Sequence, residues 1–554
     1  MRFTPTTEQT RVLDHANDGS HVTVVARAGA GKTTTLMMLA DTLPGTGLYT
    51  AFNKAIVEES AKKFPSTVAS HTLHWIAYHS MESMKHPLFR KLQYQPGHRE
   101  KIFVTIDRIK QTGLFTFPEL KVLNVRRKEI LPVKEGRQFS IIMKAITQYC
   151  ASVDDRIRWH HFNLNGYFYD DEGEKEIIRT LLPLAQKTWE DITDPYSRII
   201  PITLTHVTKV WADTHPTIFP DRNYVLLDEA QDSDALFTSV LARQDHLQKI
   251  IVGDDYQNLY NWRGSLNLMT GQAPWENVVT PLITSWRFGG ASADYADKIL
   301  TSKLLQADHG VIGNESIDTA IVENREFHED MLPRLVCQRT NAGGLETIRH
   351  ILDTAPNATV DCRLAASGYE TLAEDFLKLE SYQRVTGGPL KDFSSIHELI
   401  TYIEETGDME LQQLWTLYKE CDYNASAMRR IVAVLNRHDR NPQVTISTVH
   451  RLKGLEAARV DIGDDFYMPL YESGDIFAGL REEQRGPIDV GMTYYVAVTR
   501  AKQELYIPPQ VRHQWDETLL QLDASESLRS RAVSSEIRLK TIADSITQGK
   551  SHNT

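Results

Sequence analysis

The chain has 554 residues, 61 lysines and arginines against 73 acids for a formal net charge of −12, a hydrophobic fraction of 41% and a charged fraction of 24%. That length is more than one hydrophobic core sustains, so roughly three or four domains are expected, with the composition of a soluble globular protein. The four cysteines (Cys150, Cys337, Cys362 and Cys421) form no C-x-x-C pair, and neither the opening MRFTPTTEQT nor any later segment carries a signal-like or membrane-spanning apolar run; this argues against an iron–sulfur, zinc or disulfide framework and predicts a cytoplasmic protein, nuclear in a eukaryotic host.

From residue 1 to about 78, strand and helix alternate. A β-branched strand at 21–26 leads into a helix near 32–42, and Gly47 to Phe52 leads into a helix from about Asn53 to Phe64. A third apolar run then leads to His74. Such alternation predicts a parallel α/β sheet. From about 79 to 195 the chain turns helical and charged, with few strand signals, as expected of an inserted helical subdomain. Two basic tracks fall there: Arg126, Arg127 and Lys128, and the basic–aromatic run Arg156, Arg158, Trp159, His160 and His161. Either is a candidate nucleic-acid contact or a solvated face, since binding follows a local track rather than the net charge.

Strand character returns at Tyr224–Leu227 and Lys249–Val252, both runs ending in acids. A second α/β region begins near Leu282, with apolar runs at Leu335–Cys337 and Val360–Leu364, helical periodicity over roughly 370–440, and strands at Val444–Ser447, Asp461–Ile462 and Glu504–Ile507 before a polar tail. The outline is two α/β lobes, each interrupted by a helical insert. By number, the first lobe is 1–78 with 196–280, its insert 79–195, the second lobe 281–370 with 441–520, its insert 371–440, and the tail 521–554.

The chemistry begins at HVTVVARAGAGKTTT, residues 21–35. A strand, a glycine turn and a helix opening on lysine and threonine make a phosphate loop from Ala28, Gly29, Ala30, Gly31, Lys32, Thr33 and Thr34. Gly29 and Gly31 admit close backbone approach, Lys32 supplies a point charge, and the Thr33 hydroxyl is placed for Mg2+. The usual leading glycine is Ala26. In YVLLDEAQD, Asp228 at a strand tip can hold the magnesium and Glu229 can activate the attacking water. In GDDYQNLYNWRG, Gln257 can bridge to the γ-phosphate or water, while Tyr260 and Trp262 suit stacked bases, with core packing as the alternative for Trp262. In the second lobe, Arg287 of SWRF and Arg500 of YYVAVTRAK are placed to neutralise charge during phosphoryl transfer, with a surface ion pair as the alternative for either.

Taken in order, these segments resemble superfamily 1 helicases of the UvrD/Rep type. ARAGAGKT resembles their motif I, AFNKAIVEE and SHTLH the Ia and Ib DNA-contact segments, LLDEAQD motif II and VGDDYQNLYNWRGS motif III. SWRF resembles motif IV, TISTVHRLKGLE motif V, YYVAVTRAK motif VI, and VCQRTNA at 336–342 also fits. AFNKAIVEES with FPSTVASHTLHWIAY further resembles the F-box DNA helicase branch and its phage or bacterial relatives, although no F-box is evident.

The resemblance implies two RecA-like P-loop lobes with parallel sheets, each carrying a helical insertion, in a motor that uses ATP and Mg2+. Lys32, Thr33, Asp228, Glu229 and Gln257 form one wall and Arg287 and Arg500 complete the other. Gln9 reads adenine, Trp286 stands where the family stacks a tyrosine on adenine, and Glu456 lies near the ribose. DNA contacts fall on Asn53, Thr72, His74, Tyr260, Trp262, Arg263 and His450. The implied activity is ATP-dependent 3′→5′ translocation on single-stranded DNA with duplex unwinding in repair, recombination or replication. The alternative is a single-strand-stimulated translocase that displaces a recombinase or other bound protein with little unwinding. Expected partners are single-stranded and forked DNA, with a recombinase or single-strand-binding protein as candidates, and a monomer is compatible with the pattern. A catalytically dead scaffold is disfavoured because every ATP-site residue is present. A small-molecule kinase or GTPase would not need TVHRLKGLE and VAVTRAK. The departures are Arg27, usually glycine, and Ala51, where the family has a phenylalanine that here is displaced to Phe52.

Overall fold

A computed structural model describes residues 4–51, 54–94, 102–124, 129–164, 169–259, 268–269, 273–325, 327, 331–365, 369–391, 393–406, 409–452, 455–467 and 486–524. Phe52, Asn53, Arg126–Lys128, Tyr260, Trp262, Arg263, Lys453, Gly454 and the tail beyond 524 lie outside these residues. The described residues separate into two compact units: Gly31–Leu282 with the segment ending at Ala26, and Arg27–Ala30 with the described residues from Ile283 to Ala524.

In the first unit, β1 (Val22–Ala26), β2 (Gly47–Ala51) and β3 (Val68–Ser70) are followed by the hairpin strands β4 (Lys121–Asn124) and β5 (Glu129–Pro132), then by β6 (Tyr224–Asp228), β7 (Gln248–Gly253) and β8 (Val278–Leu282). Six of these make one parallel sheet in the order β3-β2-β6-β7-β1-β8. β1, β2 and β6 are buried along their whole length, which is why they read as continuous apolar runs rather than alternating ones. Register pairs Val25 with Gly253, Leu227 with Ile251 and Ala51 with Asp228. The segments after β1, β6 and β7 therefore leave the sheet along one carboxyl edge, where open α/β sheets bind ligands.

Two expectations need correction. The third apolar run stops as a strand at Ser70, because Thr72 accepts the Trp75 N–H and caps a helix over Leu73–Ser83, which places His74 on a helix. The charged insert also contains the antiparallel hairpin β4–β5, whose four-residue strands carry too little alternation to read.

Helices of the insert share a core with the sheet, with Ile142 and Leu181 in the same apolar cluster as Val225 and Leu227 of β6. The 23-residue helix Asp171–Thr193 starts on an Asp170 cap with Asp171, Glu172 and Glu174 in its first turn. At its other end the buried Lys91 ammonium donates to the carbonyls of Asp191, Ile192 and Asp194. Acids at the start and a cation on the last carbonyls both match the helix dipole.

His206 is buried beside this region and its Nδ1 accepts the Thr203 N–H at 3.1 Å. Burial, with Lys91 second, pushes its pKa down to about 4. The unfolded chain then binds the extra proton between the two pKa values, so stability is full above about pH 6.5 and falls toward pH 4, by about 2 kcal/mol at pH 5. His206→Asn keeps an acceptor for Thr203 without the titration, and its melting temperature is expected to fall less between pH 7 and pH 5. An unchanged pH slope would contradict this assignment.

The second unit holds β9 (Ala320–Val322), β10 (Arg334–Gln338), β11 (Val360–Arg363), β12 (Val444–Thr448), β13 (Ala457–Ile462) and β14 (Ala501–Tyr506), all parallel, in the order β11-β12-β10-β13-β14-β9. Helices between Leu372 and Val432 pack on it through Phe376, Leu399, Leu414 and Met428, with Tyr418 stacked on Phe376 at 4.1 Å. Two α/β units built on parallel six-stranded sheets are the RecA-like pair expected of the resemblance. Among the described residues the four cysteines are buried and unbridged, and no helix is long and apolar enough to cross a membrane.

Candidate nucleotide and nucleic-acid site

In the first unit, β1 runs into a turn whose last residue, Gly31, has a φ of 80° and starts the helix Lys32–Thr42. No side chain caps that helix, so its first-turn N–H groups face an anion position. Lys32 Nζ reaches Glu229 at 3.2 Å, and Thr33 and Thr34 are half-buried in the same turn. Thr35 turns inward, donating to the Gly31 carbonyl and accepting from Gln9 Nε2 at 3.1 Å. The Gln9 amide oxygen meanwhile accepts the Thr6 N–H in a capping box. The expected adenine reader is thus oriented by its own helix start and by the helix of the phosphate loop.

Asp228 ends β6 and is buried. One carboxylate oxygen accepts the Glu229 N–H at 2.9 Å and the other the Tyr49 hydroxyl at 3.0 Å. Glu229 itself sits at φ 52°, in the left-handed region that non-glycine residues rarely adopt, a backbone strain typical of sites whose surroundings over-determine them. Its carboxylate accepts from Gln231 Nε2 at 2.5 Å. The Gln231 oxygen in turn accepts the Asp254 N–H, and Asp254 accepts Gln257 Nε2 at 2.7 Å. Lys32, Glu229, Gln231, Asp254 and Gln257 therefore form one connected network.

Burial works against the Lys32 ammonium, but Glu229, Asp254 and Asp228 outweigh it and hold the lysine above its ordinary value. Burial, then repulsion from Glu229, pushes Asp228 up to about 6. A divalent cation reverses that shift, because it favours the ionised form. An uncapped helix start, a lysine, a threonine hydroxyl and a fixed acid fit a phosphate chain with a hard, oxygen-seeking cation such as Mg2+.

The second unit contains its own cluster. Trp286 is 54% exposed and its backbone N–H donates to the Gly29 carbonyl at 2.8 Å. Gly29 has φ 75°, and a Cβ there would collide with Ser285 and Arg287. The Ala28 N–H donates to the Tyr495 hydroxyl, and buried Arg27 donates through Nε and Nη2 to the His309 carbonyl. Arg27, the unusual residue of the sequence, is a buried strut here. Arg287 Nε meets Glu456 at 2.7 Å, its Nη1 donates to the Thr499 carbonyl, and Lys502 pairs with the other Glu456 oxygen. Burial opposes ionisation of Glu456, but Lys502 and Arg287 outweigh it and hold the carboxyl below its ordinary value.

Arg500 differs from Arg287. It is 1% exposed and donates to the carbonyls of Val496 and Leu455. Arg500→Ala is expected to destabilise this unit by about 3 kcal/mol, since charged hydrogen bonds to buried carbonyls are lost. Arg287→Ala, which loses the pair with Glu456 and one bond to the Thr499 carbonyl, should cost less, about 1–2 kcal/mol. Thermal melts of both variants check the contrast, and equal shifts would contradict it.

Of the expected DNA contacts, Thr72 caps its helix, and His74 follows it half-buried, with burial lowering its pKa. His450 lies in the short turn Val449–Arg451 after β12, and burial lowers its pKa too. The structure does not bring these residues together as one cluster within a unit: Thr72 and His74 belong to the first and His450 to the second. Asn53, Tyr260, Trp262 and Arg263 lie outside the described residues.

Residues 6–272 match the UvrD/REP helicase N-terminal domain and residues 239–510 the UvrD-like helicase C-terminal domain. The chain belongs to the UvrD-like helicase family. It is 26% identical over 527 residues to F-box DNA helicase protein 1 of Schizosaccharomyces pombe, covering 91% of this chain and 57% of that protein. It is 25% identical over 544 residues to F-box DNA helicase 1 of Gallus gallus, covering 92% and 49%. The chain spans about half the length of these curated relatives.

Within this UvrD-like chain, the structure adds residues that motif reading passed over. Gln231 orients Glu229, Asp254 adds charge beside Lys32, and Tyr49 grips Asp228. Gln231 lies within LLDEAQD and Asp254 within GDDYQNLYNWRG, so nearness in sequence to Glu229 and to Gln257 is the signal that points to them; Tyr49 carries none. Asp154, His160 and His161 also bring ligand-type atoms together. However, His161 Nδ1 accepts the Arg158 N–H, which puts the ring proton on Nε2, and Nε2 faces Asp154 at 3.0 Å. That trio reads as a hydrogen-bonded loop anchor, not a metal centre.

Proposed function

We propose that the chain is an ATP-dependent DNA helicase that translocates 3′→5′ on single-stranded DNA and unwinds duplex, in DNA repair, recombination or replication. The observation that carries this reading is the network of Lys32, Glu229, Gln231, Asp254 and Gln257 beside an uncapped helix start in a chain of the UvrD-like family. Lys32 and the backbone N–H groups of the phosphate loop bind the phosphate chain, while Thr33 and Asp228 hold Mg2+. The cation, when bound, neutralises charge on the phosphates and sets their geometry. Glu229, aimed by Gln231, takes the proton of the attacking water, and Gln257 positions that water against the γ-phosphate. Arg287 and Arg500 stabilise charge on the transferring group. Gln9 and Trp286 select adenine, and Glu456 faces the ribose.

The DNA-facing residues of this reading are Asn53, Thr72, His74, Tyr260, Trp262, Arg263 and His450. A recombinase or single-strand-binding protein is the protein partner it suggests, in the cytoplasm or, for a eukaryotic host, the nucleus. The test is unwinding of duplexes with a 3′ or a 5′ single-stranded tail, run beside displacement of a protein bound to single strands. The 3′-tailed duplex should be unwound and the 5′-tailed one left intact. Protein displacement without unwinding would replace this reading by that of a stripping translocase, and unwinding only from a 5′ tail would overturn the polarity.

A further inference from the structure

Tyr49 is fully buried in β2, its ring tilted against Phe64 at 4.6 Å, and it pairs in register with Leu226, two residues before Asp228 on β6. Its hydroxyl lies 3.0 Å from Asp228 and 3.1 Å from Ser60 Oγ on the helix Lys54–Ala61. An ionised carboxylate only accepts, so the single phenolic proton goes to Asp228 and Ser60 must donate to the phenol oxygen. The order Ser60→Tyr49→Asp228 is thus fixed by chemistry. The other Asp228 oxygen is held by the Glu229 N–H. With one bond on each oxygen, the carboxylate cannot rotate, yet each oxygen keeps a second lone pair for a cation or its waters.

Resting on the nucleotide-site reading above, we propose that Tyr49 is a positioning residue that fixes the Asp228 carboxylate in the orientation that receives the divalent cation. A phenylalanine at 49 has the same ring and lacks only the bond, so Tyr49→Phe isolates it. A tyrosine that merely satisfied a buried polar atom would affect stability and leave metal dependence unchanged.

The experiment is binding of a fluorescent ADP analogue to the full chain, titrated with Mg2+ and repeated in EDTA. Tyr49→Phe is expected to raise the Mg2+ concentration at half-maximal binding by about 10- to 100-fold, the range for losing a hydrogen bond behind a metal-holding group, with affinity in EDTA unchanged. In an Asp228→Asn background the same change should shift it no further, because Tyr49 acts through Asp228. Ser60→Ala, which keeps the phenol, should shift it in the same direction by less, and it decides the matter if Tyr49→Phe does not fold. An unshifted Mg2+ midpoint in the folded variants, or a full shift persisting without Asp228, would overturn the proposal. A wild-type chain that binds no nucleotide with or without Mg2+ would overturn the nucleotide-site reading and this inference together.

Discussion

Replacing Lys32 by alanine is expected to reduce ATP hydrolysis by at least about 10²–10³-fold, the scale set by removing one preorganised charge from a phosphoryl-transfer site. Lys32 stands at the first helical position after Gly31, its side chain 14% exposed, 3.2 Å from Glu229 and within the field of Asp228 and Asp254. In the ligand-free protein it is the counter-charge of these carboxylates. Its loss should also raise the Asp228 pKa further, because the largest influence opposing burial and the Glu229 charge is removed and only the hydrogen bonds from Tyr49 and the Glu229 N–H remain to lower it. Two readouts follow. ATP turnover should vanish at saturating DNA, and the ligand-free melting temperature should recover as pH is lowered through the range in which Asp228 takes up a proton. Turnover within tenfold of wild type would remove Lys32 from the chemistry.

Glu229→Gln is expected to separate binding from hydrolysis. The amide keeps the shape of the carboxylate at this strained backbone position but cannot take a proton from water, so turnover should fall by about 10²–10⁴-fold. Nucleotide affinity should stay within a few-fold of wild type, since the phosphate-binding groups are untouched. Removing the neighbouring negative charge should also bring Asp228 down from about 6, because repulsion from Glu229 is the second largest cause of its elevation. Single-turnover hydrolysis measured beside equilibrium nucleotide binding checks both statements. A parallel loss of binding and turnover would assign Glu229 a structural role.

How far these features were legible in the sequence follows from the range of the interactions. The strand–turn–helix of the phosphate loop is local: Val22, Val24 and Val25 make a buried strand, Gly31 takes a left-handed turn, and Lys32 opens a helix. Asp228 and Glu229 were visible because a buried strand of five residues ends on them. Tyr49 was not, because its partner Asp228 is 179 positions away and nothing periodic links a tyrosine in β2 to an acid in β6. Arg287 and Arg500 read alike in sequence, yet one pairs with Glu456 and the other is buried with the carbonyls of Val496 and Leu455 as partners; only packing separates them. The three-residue strand β9 and the hairpin β4–β5 were missed because so short a run carries no measurable period.

Steady-state ATP hydrolysis by the full chain, measured with and without single-stranded DNA, tests the motor reading most directly. Slow turnover alone and much faster turnover with the strand is the predicted result, abolished in Lys32→Ala. Equal rates with and without nucleic acid would contradict it.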